Sequence, residues 1–174
     1  VLIATGAWPS MPNLPGIEHA ISSNEAFELE TLPKRITVVG GGYIAVEFAG
    51  IFNGLGADTS LLYRGEEILR GFDLEIRSKL REEMIKKGVD VRINTNVTGI
   101  RKEGDEFILK LTDGNEMVTD LVMYATGRTA NTSNIGLEEL GVKMKQNGEI
   151  IVDEYYKSNV ENIFAVGDVT GGMQ

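Results

Sequence analysis

The 174 residues suffice for one large domain, or for one domain with pieces of another, and can bury a sizeable core. Hydrophobic residues make up 42% and charged residues 25%, ordinary for a globular chain, while 21 glycines point to many tight turns. A net charge of -9 argues against a nucleic-acid-binding face, no apolar run nears the roughly 18 to 20 residues of a membrane span, and the lack of cysteine excludes a disulfide, a thiolate metal site and a thiol nucleophile within the chain.

His19 is the sole histidine, which excludes a multi-histidine metal site and a catalytic triad. No signal-peptide pattern is present, and a soluble, cytoplasmic location is expected. The chain opens on the apolar run Val1-Leu2-Ile3-Ala4 and stops just after Gly167-Asp168, so both ends are expected to be cut from something longer.

Residues 1–4 read as a buried strand broken by Thr5-Gly6. Pro9, Pro12, Pro15 and Gly16 then allow neither a helix nor a central strand, and the segment reads as a connection between two bodies. Ser23 is expected to cap a short helical turn through Leu29, ended by Pro33.

Residues 36–39 form a β-branched run, residues 43–55 have helical apolar spacing and residues 59–63 are strand-like again, giving strand, helix, strand within about thirty residues. A second helix is expected with Asp73 as N-cap, Leu74, Ile76, Leu80 and Met84 facing a core, and Gly88 at its end, followed by a strand over residues 89–93. The period then changes to two over residues 97–100, 107–111 and 116–118, separated by Gly104 and Asp113-Gly114, which predicts an antiparallel meander. Residues 120–124 read as a buried strand, and residues 150–152 and 163–166 as two more.

Between the first strand and helix lies Gly40-Gly41-Gly42-Tyr43-Ile44-Ala45, a G-x-G-x-x-A fingerprint. Gly40 permits the tight turn, Gly42 lets a pyrophosphate approach the backbone, and Ala45 lets helix and strand pack closely. The helix N-terminus offers free N–H groups and the positive end of its dipole to phosphates.

Which dinucleotide binds is decided about 20 residues on, where an acid would bind the 2′-hydroxyl of NAD. Here the sequence reads Tyr63-Arg64, with Arg70 six residues later, which favours the 2′-phosphate of NADPH. In the competing reading Arg64 and Arg70 are solvated charges paired with Glu66 and Glu67, and Glu66 meeting a ribose hydroxyl would favour NADH. Glu47 could simply complement the helix dipole, and Tyr43 could be a packing aromatic.

The run Gly41-Gly42-Tyr43-Ile44-Ala45-Val46-Glu47-Phe48-Ala49-Gly50, followed by Tyr63-Arg64 and Leu69-Arg70-Gly71-Phe72-Asp73, resembles the glutathione reductases. Ala4-Thr5-Gly6, Ala125-Thr126-Gly127-Arg128 and Ala165-Val166-Gly167-Asp168 resemble other signatures of the same flavoprotein disulfide reductase group. The resemblance covers essentially the whole chain.

It implies an α/β fold: a Rossmann-like, three-layer NAD(P)-binding domain with a parallel sheet and an antiparallel β-meander, plus flanking pieces of an FAD domain. Residues 34–127 would be the NADPH-binding domain, residues 1–33 a segment of the FAD domain with its connection, and residues 128–174 the return segment. Gly40, Gly41, Gly42, Tyr43, Ile44, Glu47, Arg64, Arg70 and Gly127 would contact NADPH, with Tyr43 a movable lid, and Thr5, Gly6 and Asp168 would contact FAD.

In such an enzyme electrons pass from NADPH through FAD and a cysteine pair to glutathione disulfide. With no thiol here, no residue of this chain is expected to be catalytic, and FAD binding by the chain in isolation is expected to be weak or absent. No nucleic-acid or membrane partner is implied, and the full-length protein would be a homodimer. A trypanothione-reductase-like enzyme shares many of these features, but the short Asn53-Gly54-Leu55-Gly56-Ala57 connection favours the glutathione group. A stand-alone NADPH-binding module without catalysis is the remaining alternative.

Overall fold

The computed structural model describes residues 1–171, so Gly172, Met173 and Gln174 lie outside the described residues. In chain order the elements are β1 (Leu2–Ile3), β2 (Ala7–Pro9), α1 (Ser23–Ala26), β3 (Arg35–Val39), α2 (Tyr43–Gly54), β4 (Asp58–Leu62), α3 (Leu74–Lys86), β5 (Asp90–Arg92), β6 (Val97–Glu103), β7 (Glu106–Leu111), β8 (Glu116–Thr119), β9 (Leu121–Tyr124), β10 (Arg128–Ala130) and β11 (Phe164–Ala165). They divide into two compact units, Met11–Gly127 and the two ends of the chain, Val1–Ser10 with residues 128–171.

The larger unit is built on a parallel sheet of order β5-β4-β3-β9. Strands β3, β4 and β9 are buried on both faces, as a sheet covered on both sides requires. Ile36, Val38, Leu61 and Met123 pack with Ala45, Phe48, Ala49 and Phe52 of α2, and with Met84 of α3. Val39, Leu62, Val122 and Tyr124 face the other way, onto Val97, Ile100, Leu109 and Leu111 of the meander β6-β7-β8. The alternation of side chains along each strand thus separates two cores and produces the three layers expected from the sequence. The hydroxyl of Tyr124 is buried with no partner among the described residues, and burial pushes its pKa up to about 12.

A polar clamp joins the start of β3 to the start of β9. Asp120 accepts from the backbone N–H of Arg35 at 2.9 Å and from its guanidinium, which also reaches Glu106. Arg35 thereby holds the Asp120 carboxyl below its ordinary range. Because the folded value is depressed, this contribution to stability is fully present above the ordinary aspartate value near pH 4 and is lost as pH falls below it. Asp120→Asn is therefore expected to flatten the decline of the urea midpoint on acidification below about pH 4. An unchanged acid slope would contradict this role for the clamp.

Three local expectations are corrected. The cap of α1 is Ser22, not Ser23: its Oγ accepts from Asn24 N at 3.2 Å while Glu25 returns a bond to Ser22 N at 2.8 Å. That Ser-x-x-Glu box fixes the start of the helix, which ends at Ala26, short of Leu29. In α3, Asp73 caps as expected, at 2.9 Å from Glu75 N, but Leu74 and Ile76 are 62% and 60% exposed, and the burial falls to Met84. Residues 150–152 form no strand: Ile150 donates to Val169 and Ile151 to Lys143, so the bonds go to two different segments and no ladder develops. The apolar run reflects burial of Ile150 instead.

In the smaller unit β1 pairs parallel with β11, and β2 pairs antiparallel with β10. β2 and β10 were not evident in the sequence, since Pro9 argues against a central strand. A two-stranded ribbon tolerates it. Ile3, Ala130, Leu137, Val142, Ile150, Ile163, Ala165 and Val169 form this unit's core.

Candidate dinucleotide-binding site

Three neighbouring strands of the parallel sheet deliver the predicted residues to one edge. Gly40 to Gly42 follow the C-terminal end of β3, Tyr63 and Arg64 that of β4, and Gly127 comes shortly after β9. The chain runs outward from β3 through β4 to β5, then returns to the other side of β3 as β9. The carboxyl edge at such a reversal of strand order is where open α/β sheets bind ligands.

Each loop glycine meets a different demand. Gly40 has φ 149°, and a Cβ there would lie 2.3 Å from the Ala125 carbonyl oxygen. A Cβ at Gly41 would lie 2.3 Å from the ring of Tyr63, which packs over the loop. Around Gly42 a Cβ would meet nothing within 4 Å, and Gly42 caps α2 without any side-chain hydrogen bond. The first turn of α2 therefore presents uncapped N–H groups beside open space, an arrangement suited to a pyrophosphate. Tyr43 at 41% exposure and exposed Glu47 lie on this helix, with Ile44 half-buried.

The arginines lie on residues 64–72, and this loop is fastened to the glycine turn: Leu69 N–H donates to the Gly41 carbonyl at 2.6 Å. Both Arg64 and Arg70 are exposed, and among the described residues neither pairs with an acid. The competing pairing with Glu67 is overturned, because Glu67 is buried and bonded to Arg81 at 3.0 Å. The loop is also held by Arg77, which donates to the carbonyls of Ile68 at 2.7 Å and Glu67 at 2.8 Å. Sequence reading missed this network. Its signal was the four-residue spacing of Arg77 and Arg81, which puts both on one face of α3.

Thr5, Gly6 and Asp168 belong to the smaller unit. Thr5-Gly6 follows β1 and Gly167-Asp168 follows β11, at the C-terminal ends of two paired parallel strands. Thr5 donates its hydroxyl to the Asn131 carbonyl at 2.7 Å, and Gly6 accepts from Asn131 N at 2.9 Å. The Asp168 carboxylate lies 3.3 Å from Nε of Arg128, whose guanidinium also donates to the Ala7 carbonyl. No helix of the described residues is long and apolar enough to cross a membrane.

Known proteins share this fold. The chain is 48% identical over 173 residues to a glutathione reductase of Burkholderia cepacia, covering 99% of this chain and 38% of that protein. It is 46% identical over 176 residues to a trypanothione reductase of Trypanosoma congolense, covering 98% of this chain and 36% of that protein. The HOCl-induced flavoprotein disulfide reductase RclA from Escherichia coli superposes with a TM-score of 0.93 at 30% identity, over 99% of this chain and 40% of RclA. An engineered water-forming NADPH oxidase solved with NADPH superposes at 0.83 and 29% identity, over 97% of this chain and 38% of the oxidase. The chain thus spans somewhat more than a third of the length of these relatives. All of residues 1–174 match the family described as pyridine nucleotide-disulphide oxidoreductase, and the chain belongs to that family.

Proposed function

We propose that the larger unit binds NADPH through residues 34–127, with residues 11–33 packed on it rather than on a flavin domain, and that residues 1–10 and 128–174 contribute to an FAD domain, within a flavoprotein that reduces glutathione disulfide. The observation that carries this reading is the pair Arg64 and Arg70, which among the described residues pair with no acid, on a loop bonded to the glycine turn. Their charge suits the phosphate that distinguishes NADPH from NADH, while the uncapped start of α2 suits the pyrophosphate shared by both. Gly41, Ile44 and Glu47 would line the nucleotide, Tyr43 would cover the nicotinamide, and Gly127 would let the end of the β9 loop approach it.

The residues of the smaller unit also fit a flavin nucleotide. Thr5, Gly6 and Asp168 sit at strand ends, where a ligand can reach backbone groups, and Arg128 offsets the charge of Asp168. A bound flavin would supply the two-electron relay between nicotinamide and disulfide. The chain holds no thiol, so its share of the reaction is electron entry: binding the nucleotide, choosing it by its phosphate and orienting it.

The glutathione reading is preferred over a trypanothione-type enzyme because the turn after α2 is short. It closes through Gly56 N to Asn53 O at 3.0 Å and Ala57 N to Phe52 O at 3.0 Å. The proposal includes a homodimeric full-length protein in the cytoplasm. Its test is NADPH oxidation by the full-length protein, with glutathione disulfide and trypanothione disulfide compared at equal concentration. Faster turnover of glutathione disulfide is expected. Preference for trypanothione disulfide would support the other enzyme, and nucleotide binding without reduction of either would indicate a binding module.

A further inference from the structure

Glu67, Arg77 and Arg81 lie outside the glycine turn in sequence, and their hydrogen bonds fasten the loop that carries Arg70 to α3. Glu67 is 8% exposed and its carboxylate is fully engaged. Arg81 Nε donates to both oxygens at 3.0 Å, Ser78 Oγ lies at 3.3 Å, and Ile68 N–H donates at 3.1 Å. From the next turn of α3, Arg77 holds the backbone carbonyls of Glu67 and Ile68. Leu69 is then driven into the left-handed region at φ 53°, unusual for a residue with a branched side chain, and its N–H is delivered to Gly41.

A non-glycine residue persists in that conformation only where its surroundings over-determine it. Leu69 itself is bonded to Gly41 and Phe72, the two residues before it are held by Arg77 and Arg81 of α3, and the residue after it is Arg70. A flexible loop carrying Arg70 would have to be ordered each time a phosphate bound, at a cost in affinity, whereas a preset loop avoids that cost. Arg81 has a second effect. Without it, the buried Glu67 carboxylate would be uncompensated, three residues from Arg64, and would oppose an incoming phosphate.

We propose that Glu67, Arg77 and Arg81 form a latch of positioning residues that sets the preference for the phosphorylated dinucleotide by holding residues 64–72 in their bonded form. The inference rests on the assignment of Arg64 and Arg70 to the 2′-phosphate. It predicts an effect on the ratio of NADPH to NADH affinity, where a purely structural role would weaken both nucleotides alike.

The experiment titrates NADPH and NADH into the 174-residue chain at fixed ionic strength, with circular dichroism recorded for every variant. Arg77→Met and Arg81→Met are each expected to raise the NADPH dissociation constant at least fivefold while NADH stays within twofold. Adding Glu67→Gln to Arg81→Met removes the uncompensated charge and keeps a group able to bond Ser78 and Ile68, so it should bring NADPH to within about threefold of the parent. Equal losses for both nucleotides, or no recovery on adding Glu67→Gln, would overturn the latch. If Arg81→Met does not fold, Arg77→Met, which strands no buried charge, reads the same ratio. The chain carrying Arg64→Leu with Arg70→Leu is measured alongside. If it keeps its NADPH affinity, the phosphate assignment fails and the latch with it; if it loses affinity while the Arg77→Met ratio is unmoved, the latch alone fails.

Discussion

Replacing Arg64 and Arg70 together by leucine is expected to weaken NADPH binding roughly thirty- to a hundredfold and to leave NADH within about twofold. A hydrogen bond to a charged group contributes about 1.5 to 3 kcal/mol, and exposure to solvent on this surface discounts two such contacts to about 2 to 3 kcal/mol in total. At about 1.4 kcal/mol per decade that is roughly thirty- to a hundredfold. The preference should also shrink as salt is added, because exposed charges are screened. Titration of both nucleotides at two ionic strengths checks the claim. Parent affinities that are equal for NADPH and NADH, or a double variant that binds NADPH undiminished, would refute it.

Gly40→Ala should be the most damaging change in the glycine turn. Alanine is strained at φ 149°, and its Cβ would meet a backbone oxygen that can move only by displacing residues 125–127. Together these should cost about 3 kcal/mol or more, lowering the melting temperature by roughly 6 to 12 °C. Gly42→Ala separates binding from folding. Gly42 has φ -83° and open space around it, so the loss of stability should be confined to the poorer N-cap, about 1 kcal/mol or less. Its methyl group would occupy the approach to the uncapped turn, and both nucleotides should bind at least tenfold more weakly. Thermal melts beside titrations distinguish the two; a Gly42→Ala chain that binds normally would show that no ligand enters this space.

The strand-turn-helix-strand unit, the meander and the glycine loop between β3 and α2 were legible because they depend on short-range patterns, whereas the three-layer packing was implied by the family resemblance. Period-two alternation in residues 97–118 marked the meander, and Gly40, Ala45 and Arg64 fall at spacings set by one strand-turn-helix-strand unit. What escaped was decided by distant partners. Nothing local to Ala7-Trp8-Pro9 announces pairing with Arg128 to Ala130, more than a hundred residues later. Glu67 looked like a surface acid beside two arginines, and only its burial against α3 gives it to Arg81. Leu74 and Ile76 show the reverse error: helical spacing marks a face, while the reach of the sheet decides how far along that face burial extends.

The position of β9 bears on how the chain is made. β3 is the second strand from one edge of the sheet, and the neighbour that covers its other side arrives about 85 residues later, after α3 and the whole meander. During synthesis, a five-residue strand with three β-branched apolar side chains therefore waits with one row of backbone groups unsatisfied while much of the unit is still to be translated. Closure of β9 beside β3 ends that interval, so a growing chain halted before Leu121 would carry an open, aggregation-prone edge that one extended through Tyr124 has sealed.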